Sequence, residues 1–261
     1  MTVGSTLRIA LLITDSPIAE VVKRHGDYQC MFTRCLQLAG QSLYPPVHVE
    51  TEAFDVGPEG PGNYPEDPSA YHALLITGSK ASSYENIPWI NRLVSYVQAT
   101  TTHYPQTKWL GICFGHQIIA RAFGTPVKAN SLGWELGNYD IRLSELGREL
   151  LGQNRSTMKL LQLHRDIVTG CPEGFSVLGS TSMCSNHGMV KGNQILTIQG
   201  HPEYTNDAIA MVAKVREEAG IIPPKVVAKC LETITDNNDS LWFSTKMVEF
   251  VLGRLPKLLN Y

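Results

Sequence analysis

The chain reads Gly111-Ile112-Cys113-Phe114-Gly115-His116-Gln117 between two apolar runs, 108–110 and 118–123. This order predicts a strand, a sharp turn and a helix, with Cys113 at the turn. The flanking glycines are typical of a strained elbow that lifts its central side chain above a sheet, because a Cβ would crowd the turn. The helix that follows directs its amides and positive dipole end at the sulfur, which favours the thiolate. A buried, inert cysteine is the alternative, but it leaves the two glycines unexplained.

A second informative segment lies near the other end of the chain, where the apolar run 194–199 ends at Gly200 and continues as His201-Pro202-Glu203. Proline keeps the backbone extended, so His201 and Glu203 lie on the same side of the chain. A carboxylate two residues from an imidazole can hold it in the tautomer that a general base needs. Alone, this segment is more simply a capping histidine and a solvated glutamate. Together with the elbow, it predicts a triad of Cys113, His201 and Glu203.

The two segments resemble the triad-type (class I) glutamine amidotransferases, whose signature is a G-x-C-x-G-x-Q elbow followed later by H-P-E. Further segments resemble stand-alone members of that family, including plant γ-glutamyl peptidases: 74–79, 82–90, 133–137 and 163–166. The whole resemblance covers about residues 7 to 204. The resemblance implies an α/β fold of flavodoxin-like type, with an open, mostly parallel sheet covered by helices on both faces. It also implies cysteine-dependent hydrolysis of a γ-glutamyl amide through a γ-glutamyl thioester.

The same resemblance implies roles for residues around the triad. The backbone amides of Gly78 and Phe114 would form the oxyanion hole, which needs two donors aimed at the developing negative charge. The candidate substrate-binding residues are Gln117, Ser79, Trp134, His164 and Arg165. For Trp134 a place in the core is the commoner fate, and a local Arg165–Asp166 surface pair is an equal alternative for the segment 163–166. His116 lies on the elbow helix and is predicted to be structural, because the nucleophile projects away from that helix.

Composition excludes several classes of protein. The 261 residues are 43% hydrophobic and 18% charged, with a net charge of −2, which is typical of a soluble globular enzyme and not of a nucleic-acid-binding protein. No apolar run has the length of a membrane span, and residues 7–15 are predicted to form a buried strand rather than a signal peptide. Six cysteines occur without a C-x-x-C pair, so we predict no disulfide framework, no metal site, no cofactor and a cytoplasmic location.

One domain over residues 1–261 is predicted, with 221–261 as a C-terminal helical extension. Strands are predicted at 7–15, 47–54, 72–77 and 108–112, and alternation with helices predicts a parallel sheet. Asp27 is a predicted helix N-cap, 57–68 a surface loop, and Gly133–Gly137 a loop that contains Trp134 and Glu135. Short strand-like pieces follow the elbow helix. We also predict a hairpin turning at Gly192-Asn193, a helix at 208–219 and another from about Ser240.

Three functions remain open from the sequence. The first is a stand-alone hydrolase of a small γ-glutamyl substrate: glutamine, a γ-glutamyl peptide or a glutathione-derived compound. The second is a glutaminase subunit that delivers ammonia to a synthase partner in trans. The third is a non-catalytic binding or regulatory protein on this scaffold, against which the complete triad weighs.

Overall fold

A computed structural model describes residues 6–152, 154–234 and 237–256. The strands are β1 (Thr6–Ile13), β2 (His48–Asp55), β3 (Ala73–Ile76), β4 (Lys108–Ile112), β5 (Val127–Ala129), β6 (Glu135–Leu143), β7 (Thr157–His164), β8 (Asp166–Val168), β9 (Ser176–Val177), β10 (Gly179–Ser180), β11 (Gly188–Lys191) and β12 (Ile195–Ile198). The helices are α1 (Ala19–His25), α2 (Tyr28–Gln41), α3 (Pro88–His103), α4 (Phe114–Ala122), α5 (Glu145–Leu151), α6 (Asn206–Glu218), α7 (Pro224–Thr233) and α8 (Ser240–Val251). No helix among these residues is both long enough and apolar enough to span a membrane.

The central sheet has seven strands in the order β2-β1-β3-β4-β12-β11-β9. Its first five strands are parallel to one another, and β11 and β9 extend it in antiparallel orientation. The predicted open, mostly parallel sheet is therefore confirmed. Because the carboxyl ends of parallel strands meet at one edge, the segments after β1, β3, β4 and β12 converge there. These segments carry Thr14, Gly78, Cys113 and His201.

Both faces of this sheet are buried, which explains why its strands are continuous apolar runs. On one face of β1, the side chains of Leu7, Ile9 and Leu11 pack in a core with α2, α6 and α8. On the other face, Ala10 and Leu12 pack in the opposite core with α3 and α4. The sheet thus lies between two helical layers, as the predicted fold requires.

A second, antiparallel sheet of β10, β6 and β7 corrects the predicted short pieces after the elbow helix. Strands β6 and β7 pair over eight positions, from Glu135–His164 to Arg142–Thr157. Gly137 suggested a turn, but it lies inside β6 with φ +94°. A Cβ there would lie 2.6 Å from Thr233 Oγ1 and 3.1 Å from Cys230 Cα, so glycine admits the close approach of α7. Glu135 accordingly begins a strand and does not lie in a loop.

The other predicted elements agree with the structure more closely. Asp27 caps α2 by accepting a hydrogen bond from the Cys30 amide at 2.8 Å. Strands β11 and β12 form the predicted hairpin, and Gly192 turns it with φ +50°. Helix α1 was not predicted, since the segment after β1 has the composition of a loop. Within 221–261, α7 and α8 are helical, while residues 235–236 and 257–261 lie outside the described residues.

Candidate active site

The elbow places Cys113 at the junction of β4 and α4. Its φ of 53° is the only positive value at a non-glycine residue in the described ranges. The backbone is held there by a hydrogen bond from the Cys113 amide to Ile198 O, at 2.9 Å. At Gly115 a Cβ would lie 2.4 Å from Ile76 O, so α4 can approach β3 only because this residue is glycine. The two glycines thus serve the strand–helix packing that forces Cys113 into a strained conformation.

Two backbone amides face this site without an acceptor. Neither the Gly78 nor the Phe114 N–H donates a hydrogen bond to any described residue. A Cβ on Gly78 would lie 3.1 Å from His201 Cε1 and 3.8 Å from Cys113 Cβ, so Gly78 directly adjoins both side chains. The Thr14 hydroxyl donates to Gly78 O at 2.8 Å and fixes the segment after β3. Unengaged N–H groups at a helix start and beside a cysteine suit a developing oxyanion.

The segment after β12 supplies an imidazole–carboxylate pair. His201 Nδ1 lies 2.7 Å from Glu203 Oε1, and both side chains are buried. Burial alone would lower the His201 pKa, but the Glu203 carboxylate and the Cys113 sulfur outweigh it and raise the pKa well above its ordinary value. His201 Nε2 is buried, and the Cys113 sulfur acts on the imidazole both as a charge and as a hydrogen-bond partner. The pair therefore favours an imidazolium next to a cysteine sulfur.

Gln199 is a site residue that the sequence reasoning missed. It is fully buried, and its Nε2 donates a hydrogen bond to Cys113 Sγ at 3.4 Å. Its Oε1 accepts from Gln117 Nε2 at 3.0 Å, and Gln117 Nε2 also donates to Asp166 O at 2.9 Å. The only signal in the sequence was its nearness to the H-P-E segment, since residues 199–200 form a bend after β12 and are not extended. Gln199 stands two residues before His201.

A cavity of about 610 Å³ opens over Cys113. Its lining includes all five predicted substrate-binding residues: Ser79, Gln117, Trp134, His164 and Arg165. A further part of the lining, which was not predicted, comes from the end of α6 and the residues after it and includes Val215, Arg216 and Ile221. In the described part of the chain, the guanidinium groups of Arg165 and Arg216 form no ion pair. The lining thus contains two arginines outside any ion pair of the described residues, together with Asp15, Lys80 and Asp166.

Known proteins with related sequences and folds identify the family of this chain. Residues 64–211 match the sequence profile of the family "Glutamine amidotransferase class-I". The chain belongs to the class-I glutamine amidotransferase family. It is 34% identical to a glutamine amidotransferase-like protein of Schizosaccharomyces pombe, over 94% of this chain and 98% of that protein. It is 29% identical to gamma-glutamyl peptidase 4 of Arabidopsis thaliana, over 95% and 97% of the two chains. The crystal structure of a Thermotoga maritima glutamine amidotransferase shares the fold, with a TM-score of 0.66 at 17% identity, over 94% of this chain and 98% of that one.

This class-I amidotransferase chain also contains a buried cluster beside its cavity. The Glu135 carboxylate accepts from Thr181 Oγ1 at 2.6 Å, and His187 Nε2 and His164 Nε2 lie 3.0 and 3.3 Å from its other oxygen. Burial would raise the Glu135 pKa, but the two imidazoles lower it overall, so Glu135 is a carboxylate. The cluster therefore anchors His164, and with it the cavity wall, from behind.

Donor atoms of Glu135, Cys184 and His187 lie within 4.8 Å of one another, a spacing that three ligands of one metal ion can adopt. Burial raises the pKa of Cys184 to about 12, and its thiol lies 3.3 Å from Asn186 O as a donor. A metal ligand must be a thiolate, and the Glu135 oxygens are already engaged. The residues fit a hydrogen-bonded support better than a metal site or a second nucleophile.

His116 occupies a structural position, as its place on the elbow helix predicts. It is fully buried, and its Nδ1 lies 2.8 Å from Thr197 Oγ1. Burial lowers its pKa to about 3, with smaller contributions from His187 and His164. It is therefore neutral over the whole range in which an exposed histidine titrates.

We expect His116 to make the protein less stable in acid. Its folded pKa is depressed, so its stabilising contribution is present above about pH 6.5 and is lost as the pH falls towards 3. Between pH 7 and pH 5, the loss should be about 1–2 kcal/mol. Urea unfolding of the wild type and His116→Gln at both pH values measures it, with exposed His48→Gln as the control. An equal pH dependence in all three proteins would contradict the assignment.

Proposed function

We propose that this chain is a γ-glutamyl hydrolase that uses Cys113 as nucleophile and acts without a partner protein. The observation that carries the proposal is the convergence at one sulfur of the His201–Glu203 pair and two unengaged backbone amides. Each component has one role in acyl transfer: a nucleophile, a base held by a carboxylate, and an oxyanion hole. The similarity to gamma-glutamyl peptidase 4 supports the γ-glutamyl class of substrate.

In the proposed reaction, the Cys113 thiolate attacks the γ-carbonyl carbon of the substrate. The carbonyl oxygen becomes an oxyanion that accepts hydrogen bonds from the Gly78 and Phe114 amides. His201 then donates its proton to the leaving nitrogen, the C–N bond breaks, and the amine departs. A γ-glutamyl thioester on Cys113 remains. Water attacks the thioester with His201 as base, and glutamate is released.

The cavity suggests how the two ends of the substrate bind. Gln117 already donates its Nε2 hydrogens to Gln199 and Asp166, which leaves its Oε1 to accept from the amino group of the γ-glutamyl moiety. The leaving group would occupy the wider end, against Trp134 and the wall from α6. Arg165 and Arg216 favour a leaving group that carries a carboxylate, as a peptide does.

The proposal is tested on the purified full-length chain alone, with glutamine, glutathione, a glutathione S-conjugate and γ-glutamyl dipeptides as separate substrates. Release of glutamate by the wild type, absent with Cys113→Ala, is the expected result. Release from none of them, followed by release after a synthase is added, would instead establish the subunit function. No release of glutamate with or without a synthase, together with tight ligand binding, would establish the regulatory function.

We predict that Arg165 and Arg216 select for a carboxylate on the leaving group. Arg165→Gln and Arg216→Gln should each raise KM for a γ-glutamyl dipeptide about three- to tenfold, since the lost charge-assisted contact is partly exposed to solvent. KM for glutamine, and for the same dipeptide as its C-terminal amide, should hardly change. Arg148→Gln, an exposed arginine outside the cavity, is the matched control. Equal increases in KM for the dipeptide and for its C-terminal amide would show that neither arginine binds the carboxylate.

A further inference from the structure

We propose that Gln199 is a positioning residue that holds the Cys113 sulfur as a thiolate before substrate binds. The inference rests on the proposed role of Cys113 as nucleophile. Gln199 directly follows β12, and its Nε2 group donates a hydrogen bond to Cys113 Sγ at 3.4 Å. An N–H donor stabilises a thiolate more than a thiol, because the negative sulfur is much the better acceptor.

The backbone gives Gln199 a fixed position. Its amide donates to His187 O at 2.9 Å, and the His201 amide donates to Leu161 O at 2.8 Å. Backbone hydrogen bonds therefore fix residues 199–201 to the segments that contain His187 and Leu161, next to the elbow. Gln199 begins the bend that follows β12 and His201 comes directly after it, so the same three residues supply both groups that meet the sulfur.

A chain of hydrogen bonds determines which end of the Gln199 amide faces the sulfur. Gln117 Nε2 is a donor only, so the Gln199 atom that meets it at 3.0 Å must be the carbonyl oxygen. The NH₂ group is then directed at Sγ. Gln117 is itself held by Asp166 O, which also lies 3.2 Å from His164 Nδ1.

The chain ends at Asp166 O, because burial lowers the pKa of His164 and a neutral imidazole has only one N–H to donate, either to Asp166 O or to the Glu135 carboxylate 3.3 Å from Nε2. The hydrogen-bonded path to the reactive sulfur therefore runs from Asp166 O through Gln117 and Gln199. Every side chain in this path is buried except Asp166, which contributes only its backbone carbonyl. A path without solvent loses little of its strength to screening.

The test compares Gln199→Met, which keeps the length of the side chain but lacks a donor, with the wild type. The readout is the rate of Cys113 alkylation by iodoacetamide from pH 4 to 9, followed by mass spectrometry of the digest. We expect the midpoint pH of alkylation to rise by about one unit, which is about a tenfold loss of thiolate below the midpoint. The acid limb of the kcat/KM profile should rise by a similar amount.

Gln162→Met is the matched control, because Gln162 is fully buried on the neighbouring β7 and does not contact Cys113. Its alkylation midpoint should equal that of the wild type even if its Tm falls. An unchanged midpoint in folded Gln199→Met would overturn the inference. Alkylation needs no substrate, so this result is distinct from a failure of the proposed hydrolysis, which would leave the alkylation profile of the wild type intact.

Discussion

Replacing Cys113 with alanine should lower the release of glutamate from γ-glutamyl substrates by about 10⁴-fold or more, because no thioester can form. KM should change little, since the cavity and its charged groups remain. Steady-state kinetics and trapping of the acyl-enzyme by mass spectrometry measure the two effects. A glutamine-like electrophile should label Cys113 before any of the other cysteines in the wild type.

Cys184→Ala is the matched control for this prediction. Cys184 is also a buried cysteine, and it lies with Glu135 and His187 in the cluster behind the cavity. Its pKa of about 12 leaves it a thiol, so its removal should cost stability but leave turnover within about threefold. Loss of activity in Cys184→Ala, with Cys113→Ala active, would move the chemistry from the elbow to the cluster.

The second large effect is expected at His201. His201→Ala should lower kcat by about 10³- to 10⁴-fold, because the leaving nitrogen then has no proton donor and the thiolate loses its cationic neighbour. The decrease in kcat for Glu203→Ala should be about 10- to 100-fold smaller than for His201→Ala, because Glu203 orients the imidazole and does not itself transfer the proton. Initial rates at saturating substrate measure both.

His116→Gln provides the comparison, since His116 is an equally buried histidine on the elbow helix that faces Thr197. It should keep most of the wild-type kcat at pH 7. If His116→Gln were as inactive as His201→Ala while both proteins remained folded, the assignment of the base would be wrong.

The elbow and the H-P-E segment could be predicted from the sequence because their information is local. Glycines at fixed offsets from Cys113 report a turn. The extended path predicted for 201–203 was wrong, because Pro202 and Glu203 lie in a turn, but the expected His201–Glu203 contact is present at 2.7 Å. The two elements then meet because parallel strands end at one edge of the sheet. The alternation of apolar runs with helical segments was likewise sufficient to predict the class of fold.

What the sequence could not show depends on contacts between distant segments. Gly137 has the appearance of a turn residue, and only the approach of α7 explains why it lies within a strand. Glu135 becomes a buried carboxylate because β6 and β7 pair it with His164, and because His187 comes from a third segment. Gln199 lies two residues before His201 in the sequence, but its contact with Cys113 Sγ requires the register of β12 against β4.

The conformation of Cys113 has a consequence for how this protein can lose its activity. At φ 53° a side chain is strained, by about 1–3 kcal/mol, whereas glycine adopts such a backbone freely at an entropic cost of about 0.5–1 kcal/mol. Cys113→Gly should therefore yield an inactive protein that is more stable by about 1 kcal/mol. In a duplicated copy of this gene that is no longer selected for catalysis, this single codon change would give a more stable protein without enzymatic activity. Stability alone would not keep the cysteine in place.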